Sequence, residues 1–364
     1  MARNAAELPD AMEARSVAQI PIGAQWQYEP KWDGFRCLLL RDGDAVTMLS
    51  KSGHDLKRYF PEVEAAALAL PEKRFLLDGE LVVPTGEAFS FDSLLQRIHP
   101  APNRIKKLSA ETPALYLAFD ILGSGKRELR DTPLSQRRPL LETFAQRCFT
   151  TDGLFQLSPS TADIKRAAHW LRAAGGGSDG VIAKRVDLSY QGGNREGMQK
   201  IKCHRSADCV IGGFRYGDKP LAGRKVAGSV LLGLFDAEGL LHHVGFSSGI
   251  KVVDKPALTD RLEAIVAKRS FTGNAPGGPS RWASARSSDW QPVKPTLVVE
   301  VSYDHFTGGR FRHGTSILRW RPDKKPKQCT MDQLAQKSIS PVLLLLDEQQ
   351  ESSKSSPASV NRGD

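Results

Sequence analysis

The chain has 364 residues, 40% of them hydrophobic and 25% charged, a globular composition over a length that suits two domains or three small ones. Wholesale disorder, a collagen-like fibre and a disulfide-stapled miniprotein are excluded, and no uninterrupted apolar stretch approaches the roughly 18 residues of a membrane span. Lys+Arg 51 against Asp+Glu 41 give a net charge of +10, the electrostatic footprint of a chain that meets a polyanion such as nucleic acid.

Residues 1–20 are polar and Ala-rich and read as an arm or short helix. Arg3, Glu7, Asp10 and Glu13 interrupt any apolar signal core, so the expected location is cytoplasmic. From Gln25 onward strand-like runs alternate with turns. Cys37 to Leu40 leads through Arg41-Asp42-Gly43-Asp44 into Ala45 to Leu49, a hairpin signal. Pro61, followed by Glu62 and Glu64, opens a helix to Leu70. Phe75–Leu77, Leu81–Val83 and Ala114–Leu122 read as buried strands. Asp163–Ala174 has helical periodicity that Gly175-Gly176-Gly177 stops. Strands interleaved with helices, joined largely by hairpins, predict an α+β fold with antiparallel sheets.

A second region begins near Ser206. Cys209–Phe214, Val230–Phe235, Leu241–Phe246 and Leu297–Tyr303 are short, Gly-spaced strands, with a helix over about 256–268, a pattern that fits a small barrel of the OB type. The resulting boundaries are an arm over 1–20, a first domain over 21–204, an OB domain over 205–340 and a polar, disordered tail over 341–364. The five cysteines (Cys37, Cys148, Cys203, Cys209, Cys329) form no Cys-x-x-Cys pair, which argues for free thiols and against a zinc site.

Six short segments carry the chemistry. They are Glu29-Pro30-Lys31-Trp32-Asp33-Gly34-Phe35-Arg36, Leu77-Asp78-Gly79-Glu80-Leu81, Ala118-Phe119-Asp120-Ile121, Ser178-Asp179-Gly180-Val181-Ile182-Ala183-Lys184, Gln199-Lys200-Ile201-Lys202 and Arg319-Trp320-Arg321-Pro322-Asp323-Lys324. Taken singly each has an ordinary reading: a turn with an exposed lysine, a core phenylalanine, a basic surface run. In this order the set resembles the covalent nucleotidyltransferase superfamily and, within it, the ATP-dependent DNA ligases. Tyr28 to Phe35, Arg58-Tyr59-Phe60-Pro61-Glu62 and Arg319 to Lys324 look most like the compact bacterial ligase C type. Two positions depart from the family pattern: Ser50-Lys51-Ser52-Gly53 stands where Ser-Arg-x-Gly is usual, and Asp179 stands where Glu is usual.

The resemblance implies an adenylation domain followed by an OB domain, with ATP as substrate and Mg²⁺ (or Mn²⁺) as metal. Lys31 would attack the α-phosphate, giving a lysyl-AMP and pyrophosphate. AMP would then pass to a DNA 5′-phosphate, and the 3′-hydroxyl would displace it. An amine must be neutral to attack phosphorus, and neighbouring cations favour the neutral form; Lys200 and Lys202 would supply those charges. Glu80 would serve ribose and metal, Asp179 the metal through a bridging water, and Asp78 either a metal or a turn. Phe119 would stack on adenine, Glu29 accept from its exocyclic amine, and Arg36 contact ribose or the nick phosphate. Asp33 would orient the 3′-hydroxyl, Lys51 would meet the 5′-phosphate, and Lys184 would help hold the nucleotide. Arg321 and Lys324 would orient the departing pyrophosphate during self-adenylation, with a hinge at about 202–208. The expected partner is nicked double-stranded DNA, gripped by basic segments at Arg104–Lys107, Lys184–Arg185, Arg215–Lys225 and Arg310–His313. Repair polymerases or end-binding proteins are expected as helpers of a monomer that touches no membrane and joins the nucleoid through DNA. The rival readings are an RNA ligase or capping-type guanylyltransferase and, from another class, a non-catalytic nucleic-acid-binding module.

Overall fold

The computed structural model describes residues 8–203, 205–277, 289–304, 306–312, 314–334, 340–342 and 344–345. It divides into two compact units, Met1–Cys203 with Ser338–Asp364, and His204–Lys337.

The first unit is built on two sheets. One has six strands, with Phe155–Leu157, Leu115–Ser124, Arg74–Val82, Phe35–Asp42 and Ala45–Ser50 in spatial order and Arg127–Glu128 paired to the Leu115–Ser124 strand. The Asp-Gly hairpin forms as its sequence requires. Asp42 pairs with Ala45, and Gly43 takes φ 65°, a conformation that costs glycine little. The two short runs expected at 75–77 and 81–83 are one continuous strand, Arg74–Val82, because Asp78, Gly79 and Glu80 continue the ladder instead of turning. Helices Pro61–Ala69 and Leu134–Cys148 pack on this sheet, and Val63, Ala67, Leu141 and Phe144 join the core of Cys37, Leu39, Met48, Phe75, Leu77 and Tyr116.

The other sheet has four strands in the order Arg15–Ser16, Met198–Lys202, Ser178–Arg185 and Trp26–Trp32. The N-terminal arm is thus extended where it is described. Arg15–Ser16 runs parallel to Gln199–Lys200, and Met12 bridges Gly192. Its polar, Ala-rich composition gave no strand signal; the free edge of the Met198–Lys202 strand supplies the backbone partners. Helix Ile164–Arg172, capped by the Asp163 side chain on the Lys165 amide, covers the outer face through Ala167 and Trp170.

The stretch after 337 also differs from expectation at its start. Ser340 Oγ donates to the Glu87 carbonyl at 2.7 Å, and Leu345, 5% exposed, packs with Trp32, Val82, Phe89 and Leu117. Burial of the apolar side chains of Val342, Leu344 and Leu345 outweighs the polar character of the sequence beyond them. The remainder of the expected tail lies outside the described residues.

The second unit is built on a six-stranded antiparallel sheet, with Leu241–Ser247, Ala227–Phe235, Arg205–Tyr216, Val298–Tyr303 and Ser316–Trp320 in spatial order and Gln291–Pro292 paired to the Arg205–Tyr216 strand. Its two outer strands meet. Thr315 donates to the Phe246 carbonyl from its amide at 3.3 Å and from Oγ1 at 3.1 Å, while Ser247 Oγ donates to the Thr315 carbonyl at 2.8 Å. The sheet therefore closes on itself as a small barrel. Helix Lys255–Glu263 packs on it through Leu258 and Leu262, ending earlier than the expected 268. The strand begins at Arg205, so the stretch expected to act as a hinge is already sheet from that residue on.

Candidate active site

Register places most of the site. In an antiparallel pair, directly opposed residues share a face, and so do residues two apart along a strand. Ile182 stands opposite both Lys200 and Glu29, Lys184 stands opposite Met198, and Gly180 stands opposite both Lys202 and Lys31. One face of the four-stranded sheet therefore carries Glu29, Lys31, Ile182, Lys184, Met198, Lys200 and Lys202. On the six-stranded sheet Arg36 is opposite Glu80. Between the sheets lies a cleft of 220 Å³ lined by Glu29, Lys31, Arg36, Lys51, Glu80, Phe119, Lys184 and Lys200.

Two site side chains sit where the ladder slips. The register jumps between Ser178 and Gly180, which makes Asp179 the extra residue of a β-bulge. Its carboxylate meets Lys31 Nζ at 2.7 Å through Oδ1 and Lys202 Nζ at 3.3 Å through Oδ2. Gly180 makes room for this arrangement. Its φ is +154°, and a Cβ there would lie 2.0 Å from the Ile201 carbonyl oxygen. The second slip, between Asp78 and Gly79, leaves Phe119 unopposed. The Phe119 ring faces two cations, Arg36 at 4.5 Å and Lys184 at 4.3 Å from its centroid.

Charges in the cleft are paired tightly. Lys184 Nζ lies 2.7 Å from Glu29 Oε2, and Gln27 Nε2 donates to Glu29 Oε1 at 3.0 Å, so both carboxylate oxygens of this 2%-exposed residue are engaged. Arg36 forks onto Asp78 at 2.5 and 2.6 Å. Tyr190 donates to the same carboxylate at 2.6 Å, and its hydroxyl accepts from the Met12 amide at 3.1 Å. Asp78 thus lies within a strand, fully buried, with its oxygens on Arg36 and Tyr190; it does not line the cleft and it is no turn residue. Burial pushes the Glu80 carboxyl up to about 8, against the opposing pull of Arg36 and Lys31. Lys200 is drawn below the usual ammonium range by burial and by Lys31, Lys202 and Lys51.

Among the described residues no three His, Cys, Asp or Glu gather as a metal cage. Magnesium does not need one, since it keeps several waters and takes one or two carboxylates beside substrate phosphates. Glu80 fits that donor chemistry: it lines the cleft, and its burial holds a proton that an arriving cation would displace.

Several contributors were not foreseen in the sequence. Met12, Glu13 and Ala14 of the arm line the cleft, and Glu13 bridges Lys51 at 3.0 Å and Arg195 at 2.6 Å. Tyr190 stands alone in a loop and carries no motif. Arg137 holds Asp120 in a buried two-pronged pair at 2.8 and 2.9 Å, next to Phe119. Only Met198 had a readable signal, its two-residue spacing from Lys200.

Arg321 and Lys324 lie in the second unit, just after the Ser316–Trp320 strand. Both meet Asp208, at 2.8 and 2.6 Å. Of the basic segments, Arg104–Lys107 lies on helix Pro102–Glu111 and Arg310–Phe311 on a short strand, whereas His313 lies outside the described residues.

Comparison with known proteins agrees with this arrangement. Residues 9–202 match the ATP dependent DNA ligase domain and residues 223–324 the ATP dependent DNA ligase C terminal region. The chain is 40% identical to DNA ligase C2 and 42% identical to DNA ligase C1, both of Mycolicibacterium smegmatis; each alignment covers 89% of this chain and 93% of the relative. A solved structure titled Pmar-Lig_PreS3 shares the fold, with a TM-score of 0.54 at 17% identity over 81% of this chain and 63% of that one. An adenylation-type first unit with Lys31 at its cleft, a closed barrel after it and relatives alike over nearly their whole length make the chain a member of the ATP-dependent DNA ligase family, of the bacterial ligase C type.

Proposed function

We propose that this ligase seals 5′-phosphate/3′-hydroxyl nicks in duplex DNA with Lys31 as its nucleophile. The observation that carries the assignment is the position of Lys31 Nζ at the cleft, 2.7 Å from Asp179, with Lys200 on the same sheet face and Glu80 across the cleft. Asp179 orients the amine, and Lys200 and Lys202 place further positive charge beside it for the triphosphate. The Nζ lone pair forms a P–N bond to the α-phosphorus of ATP, and pyrophosphate leaves with the electrons of the broken P–O bond. AMP then moves to the DNA 5′-phosphate, and the 3′-hydroxyl displaces it, closing the backbone.

Phe119 offers a ring face to adenine, with Lys184 moving from the ring toward the nucleotide. Arg36, held by Asp78, contacts ribose or the nick phosphate, and Lys51 exchanges Glu13 for the 5′-phosphate. A magnesium ion held by Glu80, with Asp179 through water, would neutralise phosphate charge. Asp33 would orient the 3′-hydroxyl. The protein acts as a monomer on nicked DNA in the nucleoid, with repair polymerases or end-binding proteins preparing the ends.

Incubation with α-labelled ATP and Mg²⁺, followed by a denaturing gel, tests the assignment. An acid-labile label on the wild type that is absent from Lys31→Ala is the expected result. Persistence of the label in Lys31→Ala would overturn it, and labelling from GTP alone would favour a capping-type activity.

A further inference from the structure

Among its described residues, the second unit holds one buried carboxylate that no motif includes. Asp208 is 8% exposed and lies in the Arg205–Tyr216 strand. Its two oxygens are divided between two cations, Oδ1 to Arg321 Nη1 at 2.8 Å and Oδ2 to Lys324 Nζ at 2.6 Å. The backbone beneath it is fixed as well. The Asp208 amide donates to Gln333 Oε1 at 2.8 Å, and Gln333 Nε2 donates to the Asp208 carbonyl at 3.0 Å. Asp323 also pairs with Arg321, at 2.8 Å, but its side chain is 64% exposed and solvent competes for it. A strand-borne, backbone-latched carboxylate is therefore the rigid member of this group. It sets the spacing between a guanidinium and an ammonium that otherwise sit on long, flexible stems.

We propose that Asp208 is a positioning residue for self-adenylation, holding Arg321 and Lys324 side by side as a preformed fork for the departing pyrophosphate. This rests on the reading of Lys31 as nucleophile and of those two cations as acting in the first step alone. Misplacing a positioned charge by an ångström slows a reaction by about 100-fold, so the step that uses the fork should depend strongly on Asp208. Sealing of a nick that already carries AMP makes no pyrophosphate and should not.

The test is Asp208→Asn in the full-length protein, isosteric and without charge, assayed separately for single-turnover self-adenylation at saturating ATP and for sealing of a pre-adenylated nick. Self-adenylation is expected to fall about 10- to 100-fold with little change in the KM for ATP. Sealing of the pre-adenylated nick is expected to be unchanged. Equal loss in both assays, undiminished labelling or faster labelling would each overturn the proposal. Should the substitution lower the melting temperature, Lys324→Met and the double variant decide. Loss no greater in the double than in Lys324→Met supports action through Lys324, and additive loss overturns it. A wild type that takes no label would sink the Lys31 reading itself, whereas a labelled wild type beside an equally labelled Asp208→Asn sinks only the role of Asp208.

Discussion

The two units treat charge in opposite ways. The first buries it: Arg36 with Asp78 and Lys184 with Glu29 at the cleft, Arg137 with Asp120 next to Phe119, and Arg97 with Glu62 among the helices away from it. In the second, among the described residues, the buried carboxylate and imidazole are Asp208 and His243, and the other buried polar side chains are uncharged hydroxyls such as Ser247, Thr259 and Thr315. A buried ion pair rarely exceeds a hydrophobic pair in stability, because desolvation offsets the attraction. The pairs at the cleft therefore serve to hold its cationic side chains rigidly, while the barrel rests on a closed sheet with Arg321 and Lys324 just beyond its last strand.

That contrast can be broken from either side. The largest effect is expected at Asp78. Asp78→Ala strips the Arg36 guanidinium of its buried partner, an uncompensated charge that costs about 3–5 kcal/mol. Chemical denaturation should show this loss, and a variant as stable as wild type would mean that Arg36 turns to solvent without cost.

In the barrel the expected effect is somewhat smaller and depends on pH. Burial, reinforced by Arg310 and Arg215, brings the His243 imidazole down to about 4 from an ordinary 6.5. Between those values the unfolded chain binds a proton that the folded one refuses. The contribution of His243 to stability is therefore complete above pH 6.5 and declines as pH falls toward 4, by about 3 kcal/mol in all. The difference in unfolding free energy between wild type and His243→Phe, measured at stepped pH, should follow this slope. A difference that does not change with pH would place the titration elsewhere.

The smallest effect concerns Tyr190. Tyr190→Phe removes one hydroxyl from the Asp78 carboxylate and one acceptor from the Met12 amide, at a cost of about 1–3 kcal/mol. Arg36 keeps its fork, so labelling should weaken only a few-fold. Complete loss of labelling would show that the arm, tied through Met12, is essential to the cleft.

Much of the site was legible because its chemistry is written in short segments. Lys31, Glu80, Phe119, Lys184 and Lys200 stood in ordered motifs, and all line the cleft. The hairpin at Gly43 and the helix opened by Pro61 were readable because turn and cap chemistry is local. The arm was not. Arg15–Ser16 becomes a strand only because the Met198–Lys202 strand, some 180 residues later in the chain, offers it an edge. Asp78 was given a metal or turn role, yet it lies within a strand and braces Arg36, a relation set by sheet register.

The sequence by itself determined which residue types the chemistry would use, most of the strand and helix segments that hold them, and that the surface charge suits a polyanion. Local rules are sufficient for these: two-residue alternation, cap and turn preferences, and the need for an amine among cations. Tertiary structure alone decided where the ladders slip. The bulge at Asp179 turns a shortened carboxylate onto Lys31, the bulge at Phe119 frees a ring from the ladder, and side-chain pairs across more than 110 residues set Asp208 between Arg321 and Lys324. Bulges and long-range pairs arise from the competition of whole strands for partners, and no window of sequence contains both competitors.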